Sequence, residues 1–140
     1  MRGHTLIELL FVLLLFGVTT ASFAPYARRQ RDRALVIGAR EAVVGLFAEA
    51  RTAAIESGGA SLRIVADPAR AEVISSARIL RTAAVAEDFR VDVSLGGSPT
   101  VEIAYDALGL GRVASQTIRF TRGADATELI VSGYGRVRRR

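Results

Sequence analysis

Residues 9–24, LLFVLLLFGVTTASFA, carry no charge, and with Leu6 and Ile7 the apolar stretch approaches the roughly 20 residues that a bilayer-spanning helix needs. That run constrains everything else: it reads as a membrane helix, and the rest of the chain as something the helix carries. A cleavable secretory signal is the alternative, with small residues in 19–24 offering a cut site, although its apolar region would end sooner. One carboxylate, Glu8, stands near the start of the run. A carboxylate in such a segment costs about 2.5–3.5 kcal/mol near the bilayer centre and less near an end, so it calls for a partner. Thr5 and Glu8 also have the S/T-x-x-E spacing of a capping box, in which the two side chains satisfy backbone N–H groups at a helix start. Both readings of Glu8 stay open on spacing alone.

The sequence Gly3-His4-Thr5-Leu6-Ile7-Glu8 followed by a long apolar helix resembles the class III leader of type IV prepilins and of the pseudopilins of type II secretion. The resemblance implies cleavage by a prepilin peptidase between Gly3 and His4 and methylation of the new N-terminus. His4 stands where the family usually has Phe or Met. Glu8 becomes the fifth mature residue, where the family places a glutamate that pairs with the N-terminal amine of a neighbouring subunit and fixes filament register. Physically, a carboxylate in low dielectric is well served by a nearby ammonium. Gly17 and Pro25 fall where pilins have a helix-loosening glycine and proline. The partners implied are the peptidase, other pilin or pseudopilin subunits, and inner-membrane lipid before assembly.

At 140 residues the chain permits one domain with a modest core once the membrane helix is set aside. There is no cysteine, so neither disulfides nor thiol chemistry is available, and no compartment is implied. All 19 basic residues are arginine and the net charge is +5. Only Arg2 precedes the apolar run while Arg28, Arg29, Arg31 and Arg33 follow it, so a positive-inside count places the C-terminal side in the cytoplasm. The resemblance implies the opposite, a single-pass inner-membrane protein with its C-terminal head in the periplasm or outside the cell, and long domains translocate largely regardless of charge. The four arginines then meet lipid headgroups.

Past Pro25 the helix is expected to continue. Leu35, Ala39, Ala42, Val43, Leu46, Ala50 and Ala53 recur at helical spacing, with Arg40, Glu41, Glu49 and Arg51 between them, until Ser57-Gly58-Gly59 stops the helix. A helix over residues 5–57 is about 80 Å long at 1.5 Å per residue. From Ser61 the period becomes two, predicting five strands around residues 62–64, 89–95, 101–105, 118–120 and 129–131, with weaker candidates at 71–75 and 78–81. Turn residues at 67–68, 96–99, 109–111 and 123–125 separate them, so an antiparallel sheet should pack one face on the helix. The fold class expected is α+β: a pilin fold with a leader at 1–3, a transmembrane segment at 4–25, an amphipathic continuation at 26–57 and a β head with a basic tail at 58–140.

No catalytic set is expected. The only histidine is His4, which rules out Ser/His/Asp and Cys/His arrangements and a histidine metal site. Glu87-Asp88 reads as a solvated turn, the glycine pairs lack the lysine of a phosphate loop, and neither cofactor nor metal is called for.

The layout as a whole, with the aromatic-led turn Tyr105-Asp106-Ala107-Leu108-Gly109 and a closing Gly135-Arg136-Val137-Arg138, is similar to the GspH/FimT group of minor pilins and pseudopilins. That implies mechanical work in secretion, with secreted cargo as a further partner. FimT-like members are associated with DNA capture through a comparable Gly-Arg-x-Arg tail. In this sequence Tyr134, Arg136, Arg138, Arg139 and Arg140 would form it, the arginines gripping phosphates and the tyrosine stacking on a base. A solubilising basic terminus and an unrelated single-pass membrane protein are the competing readings.

Overall fold

A computed structural model describes residues 5–113 and 115–140. One helix, α1, runs Leu6–Ser57 without interruption through Gly17 and Pro25. By contacts the chain divides into two compact units, Met1–Arg31 and Asp32–Arg140. In the first, the described residues are helical from Leu6 on, and all of them are exposed.

In the second unit the helix buries Val36, Ala39, Val43, Leu46, Phe47, Ala50 and Ala54. The middle of the expected stripe is there, but Leu35, Ala42 and Ala53 are only half-buried. Leu35-Val36, Ala42-Val43, Leu46-Phe47 and Ala53-Ala54 are adjacent apolar pairs, so helical spacing could not choose between neighbours a hundred degrees apart. Gly58, at φ +81, ends the helix as its position predicts.

Eight of the nine strands follow as β1 (Gly59–Val65), β2 (Arg70–Ser75), β3 (Arg78–Ala83), β4 (Asp92–Ser94), β5 (Thr100–Asp106), β6 (Gly111–Arg112), β7 (Gln116–Arg122) and β8 (Asp125–Val131), and β9 (Val137–Arg139) closes the chain. They form two antiparallel sheets, ordered β3-β2-β1-β5-β6 and β4-β7-β8-β9, where the sequence led us to expect one. Both weak strand candidates are real, as β2 and β3. The strand expected at 89–95 is shorter: Val85–Phe89 is a short helix, α2, capped by Arg90 at φ 53, and Asp92–Ser94 alone pairs, as β4. Alternation misled here because Val91, Val93 and Leu95 are all buried, as a strand would have them, while the Ala-rich approach favours a helical turn. Glu87 and Asp88 are exposed as expected, but on that helix.

Leu62, Ile64, Val73 and Ile103 of the first sheet and Ile118, Phe120, Leu129 and Val131 of the second share one core with the α1 stripe. Each such side chain contributes about 1.5–3 kcal/mol by leaving water. Arg122 ties the elements together: Nε donates to Asp32 Oδ1 at 2.6 Å, and Nη1 donates to the carbonyls of Phe89 and Arg90. Gln116 Nε2 donates to the Leu95 carbonyl across the same sheet.

Candidate functional site

The apolar part of α1 is a candidate membrane span by length and composition. Its few hydroxyls do not interrupt that surface. Thr19 Oγ1 donates to the Leu15 carbonyl at 3.0 Å, Thr20 Oγ1 to Phe16 at 2.7 Å and Ser22 Oγ to Val18 at 2.9 Å. Each polar group is satisfied within its own helix, which is what an apolar solvent demands.

Gly3 and His4 lie outside the described residues. Glu8 is in the first turn of α1, where the Thr5 carbonyl accepts from the amides of Glu8 and Leu9. A carboxylate there is favoured by the positive end of the helix dipole. Among the described residues, nothing beyond its own turn of helix lies within 4 Å of the place a Cβ would take at Gly17. Arg28, Arg29, Arg31 and Arg33 are exposed.

The C-terminal arginines are divided by their strand. Residues 137–139 pair with β8 in the register Val131↔Val137, Ile130↔Arg138, Leu129↔Arg139. Alternation therefore sets Arg139 on the core side of the sheet and Arg138 on the outer side. Arg139 reaches Glu41 of α1 and grips it with both arms, Nε to Oε1 at 2.9 Å and Nη2 to Oε2 at 2.9 Å. Arg40 donates to the same carboxylate, Nη2 to Oε1 at 2.8 Å, and its Nη1 donates to Thr127 Oγ1, which in turn donates to the Arg140 carbonyl. The hydrogen bonds from Arg139, then those from Arg40, hold the Glu41 carboxyl down to about 2. Glu41 keeps the Arg139 guanidinium charged in return, raising its pKa.

The remaining tail candidates do not gather in one place. Tyr134 is 75% exposed at the tip of a turn closed by Gly135 N–H to the Ser132 carbonyl and Ser132 N–H to the Arg136 carbonyl. Arg136 lines an open groove of about 430 Å³ with Arg51, Phe47 and Tyr105. Burial pushes the Tyr105 hydroxyl up to about 12, so it stays protonated there. Arg140 lines a different recess of about 370 Å³, with Arg33, Arg40 and Asp125. Of the five candidates, Tyr134, Arg136 and Arg138 are exposed without an ion pair among the described residues, while Arg139 is committed within the chain.

Two features escaped the sequence. Glu41 read as one polar residue among several on the outer face of a helix, and nothing local ties it to Arg139, 98 residues on. Gly111 read as a turn residue, yet a Cβ built there would sit 2.8 Å from Gly135 Cα, so β6 of one sheet and the 132–136 turn of the other touch backbone to backbone. The two sheets are bonded at the same corner, Val113 N–H donating to the Gly133 carbonyl. Comparisons with family models, with curated proteins and with solved structures find no match for the chain.

Proposed function

We propose that the chain is a minor pilin or pseudopilin of the GspH/FimT kind. It is a non-enzymatic subunit held in the inner membrane by its apolar helix, cut by a prepilin peptidase between Gly3 and His4, and methylated at His4. It then joins other subunits in a filament serving protein secretion, with the sheets in the periplasm or outside the cell. One observation carries this reading: a single helix, Leu6–Ser57, is uncharged and exposed along most of its first part and along its second forms a wall of a sheet-covered core. Glu8, in the first turn, is the register residue, and Gly17 and Pro25 are where the helix can loosen during assembly.

The test is intact mass and N-terminal sequencing of membrane-extracted protein co-expressed with a prepilin peptidase. The expected product begins at a methylated His4. A chain still beginning at Met1 despite an active peptidase overturns the filament reading, and a cut near Ala24 makes the protein a secreted domain.

A second reading is DNA capture by the C-terminal turn and strand. It is favoured by the exposure of Tyr134, on a hydrogen-bonded turn, and of Arg136 and Arg138, none of which is taken up in an ion pair among the described residues. Under that reading, Arg136→Ala with Arg138→Ala abolishes salt-dependent retention of DNA, whereas a secretion subunit shows no retention to lose.

A further inference from the structure

Among the described residues the two sheets end in four edge strands: β6 has two residues, β4 and β9 have three each, and β3 has six. Short edges are one way proteins blunt the unpaired N–H and C=O groups that would otherwise recruit another chain. The β3 edge is not blunted by length or by proline. Every residue of it except Ala83 is exposed, including Ile79 at 58% and Leu80 at 54%. Among the described residues, no backbone hydrogen bond beyond its ladder with β2 involves residues 78–83.

Its local geometry is specific. The turn from β2 into β3 passes through Ser76 and Ala77, both at positive φ, a conformation that L-residues avoid and that such hairpins usually fill with Asn-Gly. The β2–β3 register then shifts between Val73 and Ile74, which face Arg81 and Ile79 in turn, so Leu80 is the extra residue of a bulge. Because of that bulge, Arg81 lies opposite Val73 and Arg78 opposite Ser75, two residues apart on β2. Both arginines therefore belong to one face of the sheet. Glu49 of α1 comes within 3.9 Å of Arg81, and Glu72 of β2 is taken up by Arg70 at 3.2 Å.

We propose that β3 is a strand-addition site for an extended segment of another protein, carrying acidic side chains at alternate positions with apolar ones between them. The inference goes beyond the prepilin reading and does not depend on it. Backbone pairing supplies the adhesion and Arg78 and Arg81 supply the selection. A second copy of this chain is the wrong occupant: two β3 strands paired antiparallel about the Ile79–Leu80 step set Arg78 of each against Arg81 of the other, and like charges directly opposite repel. An acidic residue at every second position meets both arginines instead.

The test uses the full chain in zwitterionic detergent micelles, with a short blocked peptide alternating glutamate with valine and its lysine counterpart. The glutamate peptide should bind about fivefold or more tightly than the lysine peptide, the scale expected of two exposed ion pairs. It should also slow amide exchange within residues 78–83. Arg78→Glu with Arg81→Glu should invert the preference. Should that variant lose its native circular dichroism, Arg78→Ala with Arg81→Ala serves in its place and should bind the two peptides equally. Equal binding of both peptides by the unmodified chain, protection elsewhere, or pairing of β3 with itself overturns the proposal.

Discussion

Gly111 and Gly135 meet where β6 of the first sheet passes the turn between β8 and β9 of the second, and each is glycine for a different reason. Gly135 sits at φ +72, where a side chain is strained whatever the space around it. Gly111 has no such dihedral, but its Cβ would press on Gly135 Cα at 2.8 Å and on the Tyr105 ring at 3.2 Å. Backbone cannot yield as a flexible side chain does, so Gly111→Ala should destabilise the fold by about 1–3 kcal/mol, read as a lower Tm by circular dichroism. It should also shift the backbone resonances of residues 132–136; a Tm equal to that of the unmodified chain would mean the two sheets separate freely at this corner. The sequence marked Gly109 and Gly111 as turn formers, and for Gly109, at φ +71, a turn is enough. The requirement at Gly111 is space beside a residue 24 positions away, and no local pattern records that.

At the scale of elements, among the described residues β9 is held to the rest of the second unit by its ladder with β8, by Val137 packed against the core and by the ion pair of Arg139 with Glu41. The folded Glu41 carboxyl titrates near 2 against an ordinary value of 4.5. A depressed carboxylate contributes stability that is complete above its unfolded value and is lost as pH falls through the folded one. Attachment of β9 should therefore weaken between about pH 4.5 and pH 2, the window those two values define. Because Glu41 is 40% exposed, the effect should be local fraying of the strand and not collapse of the core. Protection factors of Val137, Arg138 and Arg139, which divide out the intrinsic pH dependence of amide exchange, would report it, falling on acidification in the unmodified chain and already lowered, with little pH dependence across that window, in Glu41→Gln. Strands β1, β5 and β7 were legible because each alternates apolar and polar residues, and β8 because its apolar end, Leu129 to Val131, follows the turn at 123–125. The last strand was read only as a close to the chain with a basic tail, since three arginines in four residues carry no alternation of hydrophobicity. Only the ladder shows that one of them turns inward.

For the whole molecule the division of labour along the chain was readable, since an uncharged apolar run cannot serve as the wall of a small core and an amphipathic stretch with period-two segments after it can. What the sequence withheld was the split of the strands into two sheets. Hairpins such as β2–β3 and β7–β8 join neighbours in sequence, but β1 pairs with β5 and β4 with β7, and alternation carries no instruction about which distant strand a given one will meet. The core that results draws on residues from Val36 to Val131 and on none before Asp32. All the described residues before Asp32 are exposed, and removal of the first 31 residues should leave the stability of that core intact. A chain beginning at Asp32 should fold, with a Tm within a few degrees of that of the full chain in mild detergent, and should be recovered from the aqueous fraction while the full chain stays with membranes. Asp32 must be kept, because its carboxylate is one of the three groups that hold Arg122. A fragment that aggregates or melts far lower would mean that the stability of the sheets depends on the first 31 residues.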